Sequence, residues 1–224
     1  RQVSIGLIYN HKDWFINMEG FYKNITGITT ANQGFQNQFQ NVRVAGEYRV
    51  SGLEFSLNKK MNAFSAWFSY VYMNNNYTFD DLVPSSFPNN IDIRHSATIA
   101  GTYTHKQFKL AIGIDWHTGK PYTPPLEGEE IVTTGPFSFI QYDSPNSKRL
   151  NDYFRTNISA EYRFKFTDRI DSKVNVAIIN VLDRKNTLNT KFTLGTDEDG
   201  NLSINQIEEV SLGFSPNFSI QVLF

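Results

Sequence analysis

With 224 residues the chain is long enough to bury one sizeable all-β domain, so length does not demand a second. Aromatic residues make up 15% of it and charged residues 19%, and mean hydropathy is -0.40; this is too aromatic for a disordered chain and too polar for a helical membrane bundle. A net charge of -1 with scattered Lys and Arg leaves no footprint for nucleic acid, and the lack of Cys removes both a disulfide framework and a thiolate metal site.

Taken in chain order, the dominant pattern is alternation at period two, which predicts strands. The first, over 2–9, sets Val3, Ile5, Leu7 and Tyr9 against Gln2, Ser4 and Gly6, and a polar turn over 10–13 sends the chain back as a strand over 14–25. An Asn- and Gln-rich stretch over 26–43 follows, then a strand over 44–58 with Ser51, Leu53, Phe55 and Leu57 on one face and Glu54 on the other. A turn at 59–62 leads to a strand over 63–73, where Trp67 spoils an otherwise polar face. After a loop over 74–93, strands over 94–104 and 108–117 flank the turn 105–107; here Phe108, Leu110, Ile112, Ile114 and Trp116 oppose Lys109, Ala111, Gly113, Asp115 and His117.

Residues 118–152 hold Pro121, Pro124, Pro125, Pro136 and Pro145 and read as one long irregular loop. The strand predicted over 153–166 again separates Phe154, Ile158, Tyr162 and Phe164 from Arg155, Glu161 and Arg163. Two last strands, from 173 to about 194 and from about 202 to 224, are expected to join through Gly195–Asn201, with Pro216 interrupting the second.

Nine strands alternate short turns (10–13, 59–62, 105–107, 167–171) with long loops (26–43, 74–93, 118–152). Transmembrane barrels segregate connections in this way, with short turns in the periplasm and long loops outside the cell. A soluble β-sandwich remains the competing reading. Against it stand strands of 10 to 15 residues, where 5 or 6 is usual, and aromatics at strand ends: Trp14, Tyr70, Tyr72, Trp116, Tyr162, Phe164 and Phe166. The longest apolar runs, such as 176–179, fall far short of the roughly 20 residues a membrane helix needs. Nine antiparallel strands cannot close a barrel without a parallel seam, so the predicted sheet is part of a larger one; Arg1 to Gly6 reads as mid-strand and has neither the charged start nor the apolar run of a signal peptide.

An ordered set of segments carries a resemblance: Tyr22-Lys23, Gly52-Leu53-Glu54 with Lys59-Lys60, Ser69-Tyr70-Val71-Tyr72, Arg94-His95, Thr118-Gly119-Lys120-Pro121-Tyr122-Thr123, Asn151-Asp152-Tyr153-Phe154-Arg155, Asn180-Val181-Leu182-Asp183-Arg184-Lys185-Asn186 and a terminal Phe224. In this order they resemble the C-terminal barrel of TonB-dependent outer-membrane receptors, particularly those of Bacteroidetes. The resemblance implies an antiparallel transmembrane β-barrel of 22 strands, of which residues 1–224 form the last nine as one domain portion, lacking the plug and N-terminal strands. It implies import of a scarce nutrient, such as an iron chelate, cobalamin or a glycan, across the bacterial outer membrane; a passive, structural or adhesive barrel is the alternative. The implied partners are outer-membrane lipid, the rest of the barrel and its plug, TonB through an N-terminal part, the barrel-assembly machinery and a surface lipoprotein. Phe224 occupies the position of the assembly signal.

Among candidate sites, Glu54, Lys109, Asp115, Arg155, Glu161 and Arg163 are expected to face the lumen and the plug. Tyr122, Phe137, Phe139 and Tyr142, in an outer loop, are expected to capture ligand. His11, His95, His105 and His117 lack metal-ligand spacing, and Asp197-Glu198-Asp199-Gly200-Asn201 lacks the full pattern of a calcium loop and reads as a hairpin turn. No nucleophile elbow or phosphate loop occurs, so the chain is expected to need no cofactor and not to be an enzyme; a barrel phospholipase built from His, Ser and Asn is the chemistry this sets aside.

Overall fold

A computed structural model describes residues 1–30, 43–167 and 170–223. Phe224, the expected assembly signal, lies outside them. The sixteen strands in chain order are β1 (Gln2–His11), β2 (Trp14–Thr29), β3 (Ala45–Met61), β4 (Phe64–Thr78), β5 (Ser86–Pro88), β6 (His95–His105), β7 (Phe108–His117), β8 (Pro121–Tyr122), β9 (Ile131–Thr134), β10 (Phe137–Ile140), β11 (Lys148–Arg149), β12 (Tyr153–Thr167), β13 (Ile170–Ile179), β14 (Thr187–Thr196), β15 (Leu202–Val210) and β16 (Ser215–Leu223).

Nine of them form one antiparallel wall in the order β1-β2-β3-β4-β6-β7-β12-β13-β16, which is not closed: β1 and β16 are its two edges. The wall is long-stranded as expected, with 17 residues in β3 and 15 in β12. Three of its turns are tighter than the sequence suggests. His11 pairs with Trp14, Met61 with Phe64 and His105 with Phe108, leaving two-residue loops. Their first residues, Lys12, Asn62 and Lys106, have φ of 50°, 40° and 51°, the left-handed start that matches a hairpin loop to the twist of its strands.

The register makes the two faces of the wall explicit. One row runs Leu7, Met18, Phe55, Tyr70, Ala97, Trp116, Phe154 through directly paired residues, and another runs Met61, Phe64, Tyr103, Leu110, Ala160. The opposite face carries rows such as Ser56, Ser69, Thr98, Asp115, Arg155. Trp67 does lie on this second face, in the row Asn58, Trp67, Ala100, Gly113, Asn157, where the small residues beside it leave room for the indole.

On the apolar face the aromatics form two bands. Trp14, Phe64, Tyr103, Phe108 and Tyr162 sit near the short turns, and Tyr70, Tyr72, Trp116 and Phe154 near the long loops. From Phe64 to Tyr72 is roughly 27 Å along the strand, or roughly 20 Å of depth at the usual tilt, close to the apolar band of a barrel. Leu110 and Ile112 stay about half exposed between these bands. No helix of the described residues is long and apolar enough to cross a membrane.

Three expectations about the long connections are corrected. The strand expected from 173 to about 194 breaks after Ile179, and that expected from about 202 to 224 breaks between Val210 and Ser215. Their inner parts are β13 and β16, paired in the wall; their outer parts, β14 and β15, form a separate two-stranded hairpin. The break is built by side chains. Asn180 and Asp183 take φ of 53° and 48°, and the buried Asn180 amide donates to the carbonyls of Arg184 and Leu212, both at 3.0 Å.

The second correction concerns 118–152, which is not irregular. Strands β9 and β10 pair around Gly135-Pro136, β8 pairs with β11, and a bridge joins Pro125 to Tyr142. Its prolines occupy turn and edge positions, where a missing N–H costs nothing. The third is that β4 runs on to Thr78 and pairs with β5 inside the expected loop 74–93. Here lies the buried apolar cluster, Tyr77, Phe79, Leu82 and Phe87, with Ile28, Val44 and Tyr48 packed against it. Tyr48 pairs with Tyr77 on the polar face, so the segment after β4 folds over that face. Each such buried side chain contributes about 2 kcal/mol.

Candidate functional site: a polar wall face and a fastened outer rim

The six charged residues expected in the lumen all share the polar face. Arg155 and Asp115 are cross-strand partners, joined through Nη2 and Oδ2 at 3.2 Å, and Asp115 also accepts from the Thr98 hydroxyl at 3.1 Å. Lys109 faces Glu161 in register, and Glu161 accepts from Arg163 Nε at 2.7 Å with Lys173 at 3.9 Å. Glu54 differs: its cross-strand neighbour on β2 is Glu19. Two carboxylates directly opposed are mutually unfavourable, so this spot is negative where the other pairings are neutralised. Near the short turns the same face carries a hollow of 630 Å³ lined by Gln107, Arg163, Lys165, Asp171, Lys173 and Gln221.

At the long-loop end the fastening is different in kind. The Asp92 side chain is fully buried, its Oδ1 accepts from the Asn75 backbone N–H at 2.9 Å, and its Oδ2 pairs with Arg94 at 3.1 Å and with Arg149. Arg149 Nη1 also donates to the carbonyls of Asp92 at 2.6 Å and Gly119 at 3.1 Å. One carboxylate thereby ties the segment after β5 to β11 and to the start of the 118–152 segment. Asn146 adds a second tie, donating from Nδ2 to Pro88 O and Asn90 Oδ1, both at 2.8 Å. Gly119 is required by contact: a Cβ there would stand 1.7 Å from the Leu150 carbonyl oxygen.

A third tie uses Asn186, whose Oδ1 accepts from the Phe154 N–H at 2.9 Å and whose Nδ2 donates to the Phe154 carbonyl at 3.1 Å. Asp183 Oδ1 accepts from the Phe214 N–H at 2.7 Å. The segment from Asn180 to Asn186 therefore binds the tops of β12, β13 and β16 together, which is what its polar residues are for.

Between the 118–152 segment and the β14–β15 hairpin opens a groove of 320 Å³ lined by Asn90, Lys120, Tyr122, Asn146, Asn189 and Lys191. Of the four aromatics expected to capture ligand, Tyr122 lines this groove, its ring 6.3 Å from Phe192. Phe137 and Phe139 stand exposed on one side of β10, and Tyr142 is half-buried at the foot of that hairpin, where burial pushes its phenol above the usual range. The structure thus does not gather the four. Sequence reading passed over the amides and lysines of the groove because they come from three separate segments; the one hint was polar residues clustered next to Thr118-Gly119-Lys120-Pro121. His11 and His117 end β1 and β7, and His95 and His105 lie at opposite ends of β6; Tyr70 OH and His95 Nδ1 are 2.8 Å apart, and His117 stacks on Tyr153 at 4.8 Å.

No curated protein sequence matches the chain. Among solved structures, the fold is similar to the unliganded ferric citrate transporter FecA (TM-score 0.66, 13% identity, 99% of this chain and 30% of that one). It is also similar to the FrpB iron transporter from Neisseria meningitidis (TM-score 0.63, 12% identity, 100% and 31%). A third is FpvAI in its complex with pyocin S2 (TM-score 0.61, 12% identity, 99% and 27%). The chain spans about 30% of the length of the first two. At these identities the likeness is one of fold. The profile described as "TonB dependent receptor-like, beta-barrel" matches residues 1–181, and the chain belongs to that family of outer-membrane β-barrels.

Proposed function

We propose that the chain forms the last nine wall strands of a 22-stranded receptor barrel of the Bacteroidetes type, which imports a scarce nutrient through TonB. Its family is one of transporters rather than enzymes. The observation that carries the reading is the coincidence of two features in one sheet: a charged, self-paired face and a rim fastened by buried polar ties. In this reading Glu54, Lys109, Asp115, Arg155, Glu161 and Arg163 face a plug carried elsewhere in the whole receptor, with TonB acting on that plug.

Ligand capture falls to the rim: to the groove with Tyr122, and to Phe137, Phe139 and Tyr142 on the segment beside it. Iron chelates, cobalamin and glycans are the candidate cargoes. Phe224 serves as the assembly signal, so its deletion in the intact protein lowers the outer-membrane level. A surface lipoprotein above the rim is a further partner. The decisive experiment is uptake of these cargoes by cells with and without TonB, alongside binding to a receptor lacking the β9–β10 hairpin. Import is expected to stop without TonB, and affinity to fall without the hairpin. Uptake that persists without TonB would make the barrel a passive channel, and unchanged affinity would remove the hairpin from the site.

A further inference from the structure

On the apolar face near the short turns, between β4, β6 and β7, lies a groove of 330 Å³ whose lining includes Phe64, Ala66, Gly101, Tyr103, Leu110 and Ile112. Its floor is made by the paired small residues Ala66 and Gly101, with Gly101 paired in turn to Ile112. Its rims are bulky: Phe64 and Tyr103 stack at 4.5 Å on one side, and Leu110 and Ile112 stand half exposed on the other. The groove is central. Three wall strands separate it from each free edge, so strands that complete the barrel by pairing with β1 and β16 do not cover it.

A cation is rooted on the neighbouring strand, in register with the floor of the groove. Lys59 is the cross-strand partner of Ala66 and lies on the same otherwise apolar face, with its ammonium 4.3 Å from the Trp14 ring centroid. A lysine on a lipid-facing strand holds its charge at the headgroup level by extending toward the nearer interface. His105, stacked on Tyr103, and Lys106 in the adjoining turn place further basic groups at this end. An apolar groove flanked by basic side chains within reach of a headgroup complements a molecule with an acyl chain and an anionic head.

We propose that this groove seats one acyl chain of an anionic phospholipid in the leaflet at the short-turn end, with its phosphate held by Lys59. The inference rests on the outer-membrane reading alone and not on import, so failure of one leaves the other standing. The groove is open enough to be filled by mutation, because a Cβ at Gly101 would meet nothing nearer than 3.7 Å.

The test uses the full-length receptor in detergent, incubated with phosphatidylglycerol or phosphatidylethanolamine and examined by native mass spectrometry. The wild type is expected to retain one phospholipid, with phosphatidylglycerol favoured. Gly101→Leu is expected to lower retention at least tenfold, and Lys59→Gln to reduce the phosphatidylglycerol preference about fivefold, the scale of one basic residue at an anionic surface. Heat-modifiable gel mobility checks that both variants remain folded barrels, and Lys59→Gln, at a solvated position, supplies a reading should Gly101→Leu fail to assemble. A wild type that retains no lipid, wild-type retention by folded Gly101→Leu, equal retention of the two lipids, or a second receptor copy seated on this face would each overturn the assignment.

Discussion

The barrel wall and the outer rim are held by different physics. In the wall, order comes from the backbone ladder and its register, and the apolar face remains open: large side chains such as Ile5, Leu7 and Phe218 are more than 60% exposed. In the rim, side chains carry the order. Asp92, Asn146, Asn180 and Asn186 are all buried there, as are Phe79, Leu82 and Phe87. The wall needs no core because lipid takes that role on one side. The rim stands in water, where a long connection keeps a shape by burying apolar groups and pairing most of the polar groups it buries with them, as Asp92, Asn146, Asn180 and Asn186 are paired.

If that contrast is right, the largest effect should come from Asp92→Ala. It removes the carboxylate shared by Arg94 and Arg149 and should loosen the rim by about 3 kcal/mol, the low end for a broken buried pair since both guanidinium groups remain partly solvated. Protease nicking of the 118–152 segment should then rise on the order of 100-fold while the wall stays resistant; an unchanged rate would mean that the ties do not hold the rim. Next is a pair of glycines. Gly119→Ala drives a Cβ into the Leu150 carbonyl and should cost about 2 kcal/mol, whereas Gly113→Ala in the wall meets nothing within 4 Å and should stay within about 0.5 kcal/mol. Equal melting shifts for the two would erase the distinction.

Asn180→Ala leaves the Leu212 carbonyl without its Asn180 donor and the Arg184 carbonyl with only the longer bond from Asn186, and should cost about 2 kcal/mol, read as faster amide exchange over 180–186 with wall strands unaffected. The smallest effect is one of pH. Asp197 accepts from the Asn201 backbone N–H at 2.8 Å, from the Asn201 side-chain amide at 3.3 Å and from the Asp199 N–H at 3.1 Å; these bonds hold its carboxyl below the usual carboxylate range. A lowered folded-state value means that the turn's contribution is present above the ordinary Asp value and is lost as pH falls through the lowered one. Protection of the Asn201 amide should therefore decline only in that acidic window. Loss at neutral pH would point to another origin.

The wall was legible because its period-two pattern is direct physics: Phe108 to Trp116 against Lys109 to His117 needs no knowledge of any partner segment. Even the count of nine wall strands holds, although two of the nine were drawn through breaks. Those breaks were hidden because Asn180 and Asn186 act on Leu212 and Phe154, about 30 residues away, and a linear pattern does not report such contacts. The groove at Tyr122 was hidden for the same reason, since Asn90, Asn146 and Lys191 come to it from three connections. Phe137 and Phe139 were picked for their chemistry, but a two-residue spacing on a hairpin also sends both side chains outward.

The two-residue turns opening at Lys12, Asn62 and Lys106 bear on how the molecule comes into being. Each wall hairpin closes over neighbouring residues, so its loop-closure cost is small and it can register as soon as its own two strands exist. The Arg149 contact with Asp92 spans 57 residues and must wait until β6 and β7 are in place. Assembly should thus proceed as a row of local hairpins, with the rim setting last. A barrel stalled midway through insertion would show a paired wall beneath outer segments still without shape.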